Sequence, residues 1–175
     1  MDAEIIQFEP ASEFLENRPF SDIRVGDSGS LVRSVSMRDI QLFAAVSGDV
    51  NPAHVDALYA NSSHFHGIIA HGMLGASLIS TVLGTRFPGP GTIYLGQNLK
   101  FLKPVHIGDT LTVTVTVKAR DELRHRLTLD TRCLNQHGEA VIEGEAEVMA
   151  PKEKLRIHRT ELPEPLLAGK IVEAD

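Results

Sequence analysis

The chain has 175 residues, a net charge of −6 and no tryptophan, and these values exclude several classes of protein. A chain of this length fits one domain and can bury enough surface to fold without disulfides or a structural metal. The acidic balance, with no cluster of lysine or arginine, argues against nucleic acid as the main partner, although a phosphorylated ligand needs only a few local cations.

The single cysteine and the N-terminus indicate the cellular setting. Cys133 excludes an intrachain disulfide and disfavours a cysteine-based zinc site, so a reducing compartment fits best. The N-terminus carries Asp2, Glu4 and Glu9 and lacks the basic-then-apolar order of a secretion signal. The longest apolar stretch, residues 68–83, is shorter than the roughly 20 residues of a membrane span. We therefore expect a cytoplasmic protein with no membrane partner.

The start of the chain predicts an irregular segment followed by a weak strand and a helix. Residues 1–19 are mixed in character and contain two prolines, and a weak strand is expected near residues 29–35. Ser36 and Asp39 have the spacing of a capping box, in which each side chain satisfies a free amide of the first helical turn. This pattern predicts a helix over residues 37–46.

Two further helices are expected before residue 90. Asn51-Pro52 has the form of a helix start, with asparagine as the N-cap and proline in the first turn, and predicts a short helix to about residue 61. Residues 62–70 are expected to form a loop. The next helix, residues 72–87, is apolar on nearly all sides, so other structure must enclose it.

The second half of the chain alternates between apolar and polar residues, which is typical of strands. After the breaker at residues 88–91, strands are expected at about 92–102, 110–117, 126–134 and 140–149. Short connections favour an antiparallel sheet, and helices followed by strands indicate an α+β fold in which a curved sheet wraps the apolar helix. The domain is expected over residues 20–150, with residues 151–175 as a tail or linker.

The densest polar segment contains Asp49, Asn51 and His54. A loop acid and a histidine in the first turn of the next helix can converge on one small volume. Together they can transfer protons near pH 7 and so add or remove water. The same residues are also typical of ordinary helix caps, and the spacing alone leaves both interpretations open.

A second group, His71 and Gly72, opens the apolar helix. The Gly72 amide lies at the positive end of the helix dipole and could bind a carbonyl oxygen that gains negative charge during a reaction. The alternative is that Gly72 permits tight packing and that His71 is a partly buried cap.

A metal site and a nucleophilic serine have less support in the sequence. His64 and His66 flank an aromatic residue, but no H-x-x-x-H pair lies on an expected helix beside an acid, so no metal is predicted. Ser77 and Ser80 lie within the apolar helix without a nucleophile-elbow sequence. Their hydroxyls are expected to bond back to the helix.

Five short segments carry a resemblance to a known family. They are Ser47-Gly48-Asp49-x-Asn51-Pro52-x-His54, Ala70-His71-Gly72-Met73, Gly91-x-Ile93-Tyr94-Leu95-Gly96-Gln97, Phe101-x-x-Pro104-Val105 and Gly108-Asp109-Thr110-Leu111. In this order and spacing, over about residues 20–150, they resemble the MaoC-like dehydratases, the (R)-specific enoyl-CoA hydratases of the hot-dog fold. The likeness is greatest to the hydratase domain that some bacterial proteins carry ahead of a phosphate acetyl- or butyryltransferase, which implies a possible fusion partner.

The resemblance implies reversible hydration of trans-2-enoyl-CoA to (R)-3-hydroxyacyl-CoA without a cofactor. Asp49 and His54 would be the catalytic pair, and the Gly72 amide would bind the thioester oxygen. Asn51 and His71 would support them. Family members pair through their sheets, so a homodimer is implied. The alternatives are a hot-dog acyl-CoA thioesterase and a non-catalytic acyl-CoA-binding domain.

Overall fold

A computed structural model describes residues 12–162 and 164–165 of the chain. In chain order its elements are strand β1 (Phe14–Glu16), a 3-10 turn (Phe20–Asp22), strand β2 (Ser28–Ser34), helices α1 (Met37–Ser47), α2 (Pro52–Val55), α3 (Ala57–Ser62) and α4 (Gly72–Thr85), and strands β3 (Ile93–Phe101), β4 (Thr110–Asp121), β5 (Arg126–Leu134), β6 (Ala140–Met149) and β7 (Arg156–His158). Asp2, Glu4 and Glu9 and residues 166–175 lie outside the described part.

Strands β2 to β6 form one antiparallel sheet in the order β2-β4-β5-β6-β3. The alternation along β4 buries its apolar side chains completely, because Leu111, Val113, Val115 and Val117 are each at most 1% exposed. Helix α4 lies on this face and contacts β2, β3 and β4. Its buried residues are Gly75, Ala76, Leu78, Ile79, Val82 and Leu83. The predicted α+β arrangement of an antiparallel sheet packed on one apolar helix is confirmed. The expectation that other structure encloses this helix on nearly all sides is wrong, because Met73, Ser77, Ser80, Thr81 and Gly84 are exposed.

The capping chemistry predicted for α1 is present in full. The Ser36 side chain accepts a hydrogen bond from the Asp39 amide, and the Asp39 carboxylate accepts one from the Ser36 amide. Burial raises the pKa of Asp39, but the hydrogen bonds from Ser36 and the charge of Arg33 outweigh it and hold that pKa below its usual value. Gly48 ends the helix with φ at 75°, a left-handed conformation that glycine adopts without strain.

The single helix expected over residues 51–61 is wrong in one respect, because the structure divides it into α2 and α3. Asp56 separates the two with extended backbone angles, and its side chain accepts a hydrogen bond from the Tyr59 amide. A carboxylate that caps a new helix competes with continuation of the old one. Within the described residues, no helix combines the length and the apolar content that crossing a bilayer requires.

The prediction of irregular chain at both ends is wrong for six residues. Strand β1 falls inside the expected lead-in, and β7 falls inside the expected tail; the two pair antiparallel with Phe14 opposite His158. A strand of three residues is too short to show a period in sequence. Its partner, moreover, lies at the other end of the chain.

The side chain of Asn17, just after β1, forms hydrogen bonds with the chain before β3 and with the chain before β7. Its side chain is 2% exposed, and its amide nitrogen donates to the carbonyl oxygens of Pro90 and Glu153, each at 3.0 Å. Its amide oxygen accepts from the Leu155 amide at 2.8 Å. A buried polar group with all its bonds made is stabilising, whereas its loss leaves several backbone groups unsatisfied.

We expect Asn17→Ala to lower the free energy of unfolding by about 2–4 kcal/mol, because three hydrogen bonds are lost and their backbone partners stay buried. Urea denaturation measures this. Asn61→Ala, at an exposed helical position, is the matched control and is expected to change stability by less than about 0.5 kcal/mol. Equal effects of the two substitutions would contradict the role of Asn17.

Candidate active site

Asp49 lies in the loop between α1 and α2 with its side chain exposed. Its amide donates to the Ser47 hydroxyl at 3.2 Å, and its carboxylate accepts from the Asn51 amide at 3.1 Å. Asn51 is the N-cap of α2, because its side chain accepts from the Ala53 amide at 3.1 Å. The loop therefore holds the Asp49 carboxylate in place through one oxygen, while the capping of α2 belongs to Asn51.

His54, in α2, is fixed by a backbone carbonyl. Its Nδ1 lies 2.8 Å from the carbonyl oxygen of Ile69. A carbonyl oxygen only accepts hydrogen bonds, so Nδ1 carries a proton and donates it. Nε2 is therefore the ring nitrogen available to a ligand or a reacting proton.

His71 is the N-cap residue of α4 and is 3% exposed. Its Nε2 lies 2.9 Å from the backbone carbonyl oxygen of Asp49, which makes Nε2 the donor. Nδ1 is buried and has no hydrogen-bond partner among residues 12–162 and 164–165. The sequence suggested a partly buried capping residue, but the His71 side chain makes no cap hydrogen bond and instead contacts the Asp49 loop.

These three side chains meet at one point. One ligand-forming atom from each of Asp49, His54 and His71 lies within 4.8 Å of the other two. The two imidazole rings pack with centroids 4.0 Å apart. The convergence of Asp49 and His54 is therefore observed, and the third group is His71, for which the resemblance implied only a supporting role.

Gly72 begins α4 beside this cluster. The first amides of a helix have no carbonyl partner within the helix and point away from its start. A Cβ atom built on Gly72 would lie 2.8 Å from the ring of Phe101, so glycine lets β3 approach the start of α4. The amide that the sequence singled out thus directly follows His71, and Gly72 lines the same cavity as His54 and His71.

A cavity of about 460 Å³ extends from the cluster between α4 and the sheet. Its lining is mostly apolar and includes His54, His71, Gly72, Phe65, Phe101 and Ile142. Of these, Phe101 belongs to one of the five segments that carry the family resemblance, whereas Phe65 and Ile142 do not. All three line the cavity because the loop before α4, the end of β3 and the start of β6 meet there. Lys103 lies at the same place and pairs with Glu139.

The other candidates from the sequence lie elsewhere. His64 and His66 are exposed in the loop after α3 and do not join the cluster. The Ser77 hydroxyl donates to the Leu74 carbonyl, as expected of a helical serine. Cys133 is buried, and burial raises the pKa of its thiol to about 12, so it supplies no thiolate near neutral pH.

Comparison with known proteins places this arrangement in a family. A family model described as a MaoC like domain matches residues 28–135. The (R)-specific enoyl-CoA hydratase of Rhodospirillum rubrum is 54% identical over 132 residues, which are 75% of this chain and 91% of that protein. The unliganded R-hydratase PhaJ1 of Pseudomonas aeruginosa superposes with a TM-score of 0.85 at 48% identity, covering 89% of this chain and 99% of that one.

A third relative agrees with these two. The (R)-hydratase of Aeromonas caviae superposes with a TM-score of 0.72 at 43% identity, covering 74% of this chain and 98% of that one. An antiparallel sheet packed around one apolar helix, together with these superpositions, defines a protein of the hot-dog fold. The chain belongs to the MaoC-like family within that fold. The fusion to a phosphate acyltransferase stays a prediction.

Proposed function

We propose that this protein is an enoyl-CoA hydratase that converts trans-2-enoyl-CoA to (R)-3-hydroxyacyl-CoA, and that it also catalyses the reverse dehydration. The observation that carries this proposal is the convergence of Asp49 and His54 beside the Gly72 amide, at one end of an apolar cavity. Hydration of a conjugated double bond needs a held water, two proton transfers and a polarised carbonyl. These residues offer a chemical group for each need.

Asp49 and His54 handle the water. Asp49 orients the water and removes a proton from it as the oxygen attacks C3, while His54, which enters the step with a proton on Nε2 as well as on Nδ1, holds the same water and delivers the Nε2 proton to C2. Nδ1 of His54 keeps its proton throughout, because it donates to the Ile69 carbonyl oxygen. The proton taken by Asp49 then returns to His54 and restores both groups. Addition of both parts from one face gives the (R) product.

The Gly72 amide acts on the thioester. Its hydrogen bond to the carbonyl oxygen draws electrons away from C3 and stabilises the enolate-like transition state. Asn51 and His71 support the pair, the first by capping α2 and the second by its hydrogen bond to the Asp49 carbonyl. No cofactor enters these steps.

The acyl chain fits the cavity, and the polar part of CoA stays outside it. A mainly apolar lining suits a hydrocarbon tail, and its burial contributes to binding roughly in proportion to the apolar area covered. Lys103 lines the cavity and is a candidate to bind a CoA phosphate, which would require its salt bridge with Glu139 to break. We also propose a cytoplasmic enzyme, because a chain with the single cysteine Cys133 suits a reducing compartment.

The test uses crotonyl-CoA as substrate. We expect loss of the enoyl absorbance without release of free thiol, and chiral analysis should give (R)-3-hydroxybutyryl-CoA. A thioesterase of the same fold would instead release CoA thiol, which a thiol reagent detects in parallel. Thiol release without hydration, or a mainly (S) product, would refute the proposal.

We expect Asp49→Asn and His54→Ala each to lower kcat on the order of 10²–10⁴-fold, or about 3–5 kcal/mol. The double variant should lose little more than either single variant, because both groups act on one water. Asp56→Asn, which can still cap α3, and His137→Ala, in an exposed turn, are matched controls expected to keep activity. Folded Asp49 and His54 variants with near-full activity would contradict the assignment.

Gly72→Ala tests the thioester site separately. The added Cβ meets the Phe101 ring, so one of the two must move, and a displacement near 1 Å can cost about 10²-fold in rate. We expect a loss of about 10–100-fold in kcat/KM for crotonyl-CoA. Gly84→Ala, in the same helix with no atom within 4 Å of its Cβ position, is the control. Unchanged activity in Gly72→Ala would argue against its role.

We also propose a homodimer formed along β3. This strand is one of the two edges of the sheet, and Ile93, Tyr94 and Leu95 are 54%, 37% and 41% exposed. An exposed apolar edge strand is a surface that pairs with another strand. Light scattering should give twice the chain mass of 19.1 kDa. Leu95→Glu should shift the protein toward monomer, whereas Leu123→Glu, in the β4–β5 turn, should not; a wild-type monomer would refute the proposal.

A further inference from the structure

The cluster of Asp49, His54 and His71 has a second chemical property besides proton transfer. We propose that it binds a divalent first-row transition ion, with Zn²⁺ as the type case, and that this ion inhibits the enzyme reversibly. Binding of the ion does not depend on the proposed hydratase function, whereas the inhibition does. The ion is an inhibitor in this proposal and takes no part in the reaction.

Each of the three residues offers one atom to an ion. His54 uses Nδ1 to donate to the Ile69 carbonyl oxygen and leaves Nε2 available. His71 uses Nε2 to donate to the Asp49 carbonyl oxygen and leaves Nδ1, which is buried without a partner in the described residues. The Asp49 carboxylate supplies the third ligand. A buried nitrogen that lacks a hydrogen bond is costly, and an ion that binds it removes this cost.

The hydrogen bonds that His54 and His71 make with backbone carbonyls are those expected around a metal site. A histidine that binds a metal usually donates its other ring N–H to a carboxylate or a backbone carbonyl, which fixes the tautomer and the ring orientation. Both His54 and His71 already do so, at 2.8 Å and 2.9 Å. An arriving ion would therefore find both rings oriented in advance, with little side-chain entropy to lose.

The spacing is within reach of a coordination shell. Zn²⁺ binds imidazole nitrogen at about 2.0–2.1 Å and carboxylate oxygen at about 2.0–2.2 Å, so ligand atoms around one ion stand about 3–3.5 Å apart. One possible ligand atom from each of Asp49, His54 and His71 lies within 4.8 Å of the other two. Closing the shell needs movements of about 1 Å. Asp49 can supply them, because it is exposed and lies in a loop.

The donor set selects the class of ion. Two imidazoles and one carboxylate suit Zn²⁺, Co²⁺, Ni²⁺ and Cu²⁺, whereas Mg²⁺ and Ca²⁺ prefer sites made of oxygen atoms. Asp49 is the only acid in the cluster. The single thiol, Cys133, is buried and does not compete for the ion.

Metal binding would inhibit by using the atoms that the reaction needs. The ion takes the lone pair of His54 Nε2 and a carboxylate oxygen of Asp49, so neither can transfer a proton. It also stands where the reacting water would be held. Inhibition should therefore reverse fully when a chelator removes the ion.

Binding is tested first, on the untagged full chain without substrate. We expect visible d–d absorption from a four- or five-coordinate Co²⁺, and saturable Zn²⁺ binding by calorimetry with one ion per chain. Asp49→Asn, an isosteric change at an exposed residue, should weaken Zn²⁺ binding by about 10-fold or more, and His71→Ala should do the same. His137→Ala, outside the cluster, should leave the affinity unchanged. Equal affinities in wild type and Asp49→Asn would overturn the proposal, even if His71→Ala fails to fold.

Inhibition is tested with crotonyl-pantetheine, which lacks the phosphates of CoA that would themselves bind metal. Zn²⁺ should abolish hydration over the concentration range in which it binds, EDTA should restore it, and Mg²⁺ should have no effect. Zn²⁺ that binds the cluster and leaves the rate unchanged or raised would overturn the inhibitory role. A metal-free enzyme that does not hydrate its substrate would instead refute the proposed function, while the calorimetry still decides whether the metal site exists.

Discussion

The burial of the apolar side of α4 is the constraint on which the rest of the structure depends. The sheet of β2 to β6 covers that side of the helix, while Ser77, Ser80 and Thr81 on the other side stay exposed. A sheet covers the side of a helix and leaves its ends, where the first amides point outward without partners. The polar site lies at that uncovered start, at Gly72. The packing of the sheet on α4 thus both buries one side of the helix and leaves its start as the place for the polar site.

The segment just before α4 is held in place by backbone hydrogen bonds, and it in turn orients a side chain of the site. The Ile69 amide donates to the Ala53 carbonyl at 3.2 Å, and the Ala70 amide donates to the Val105 carbonyl at 2.7 Å. Residues 69 and 70 are therefore tied both to α2 and to the chain between β3 and β4. The Ile69 carbonyl that anchors His54 belongs to this segment, so the imidazole is oriented by backbone atoms with little freedom. Such support favours a fixed geometry for proton transfer.

Much of the fold could be predicted from the sequence, because its signals are local. The capping box of α1 and the alternation along β4 each follow from residues a few positions apart. The pairing of β1 with β7 could not be predicted, because three-residue strands show no period and their contact spans the chain. The resemblance implied that His71 supports the pair, but its place within the cluster could not be predicted, for a similar reason. Its approach to Asp49 depends on how residues 62–70 return the chain, and no local pattern specifies that path.

The structure also bears on whether Asp49 is a helix cap or a chemical group, a choice that the spacing left open. Ser36 caps α1, Asn51 caps α2 and Asp56 caps α3, each by a side-chain hydrogen bond to a backbone amide. The capping positions of the three helices around this loop are thus occupied by other residues. The Asp49 carboxylate accepts one bond from the loop and otherwise stands beside two imidazoles that backbone carbonyls hold in place. Since the caps of these helices do not require a carboxylate there, the position of Asp49 supports the proposed role in the reaction.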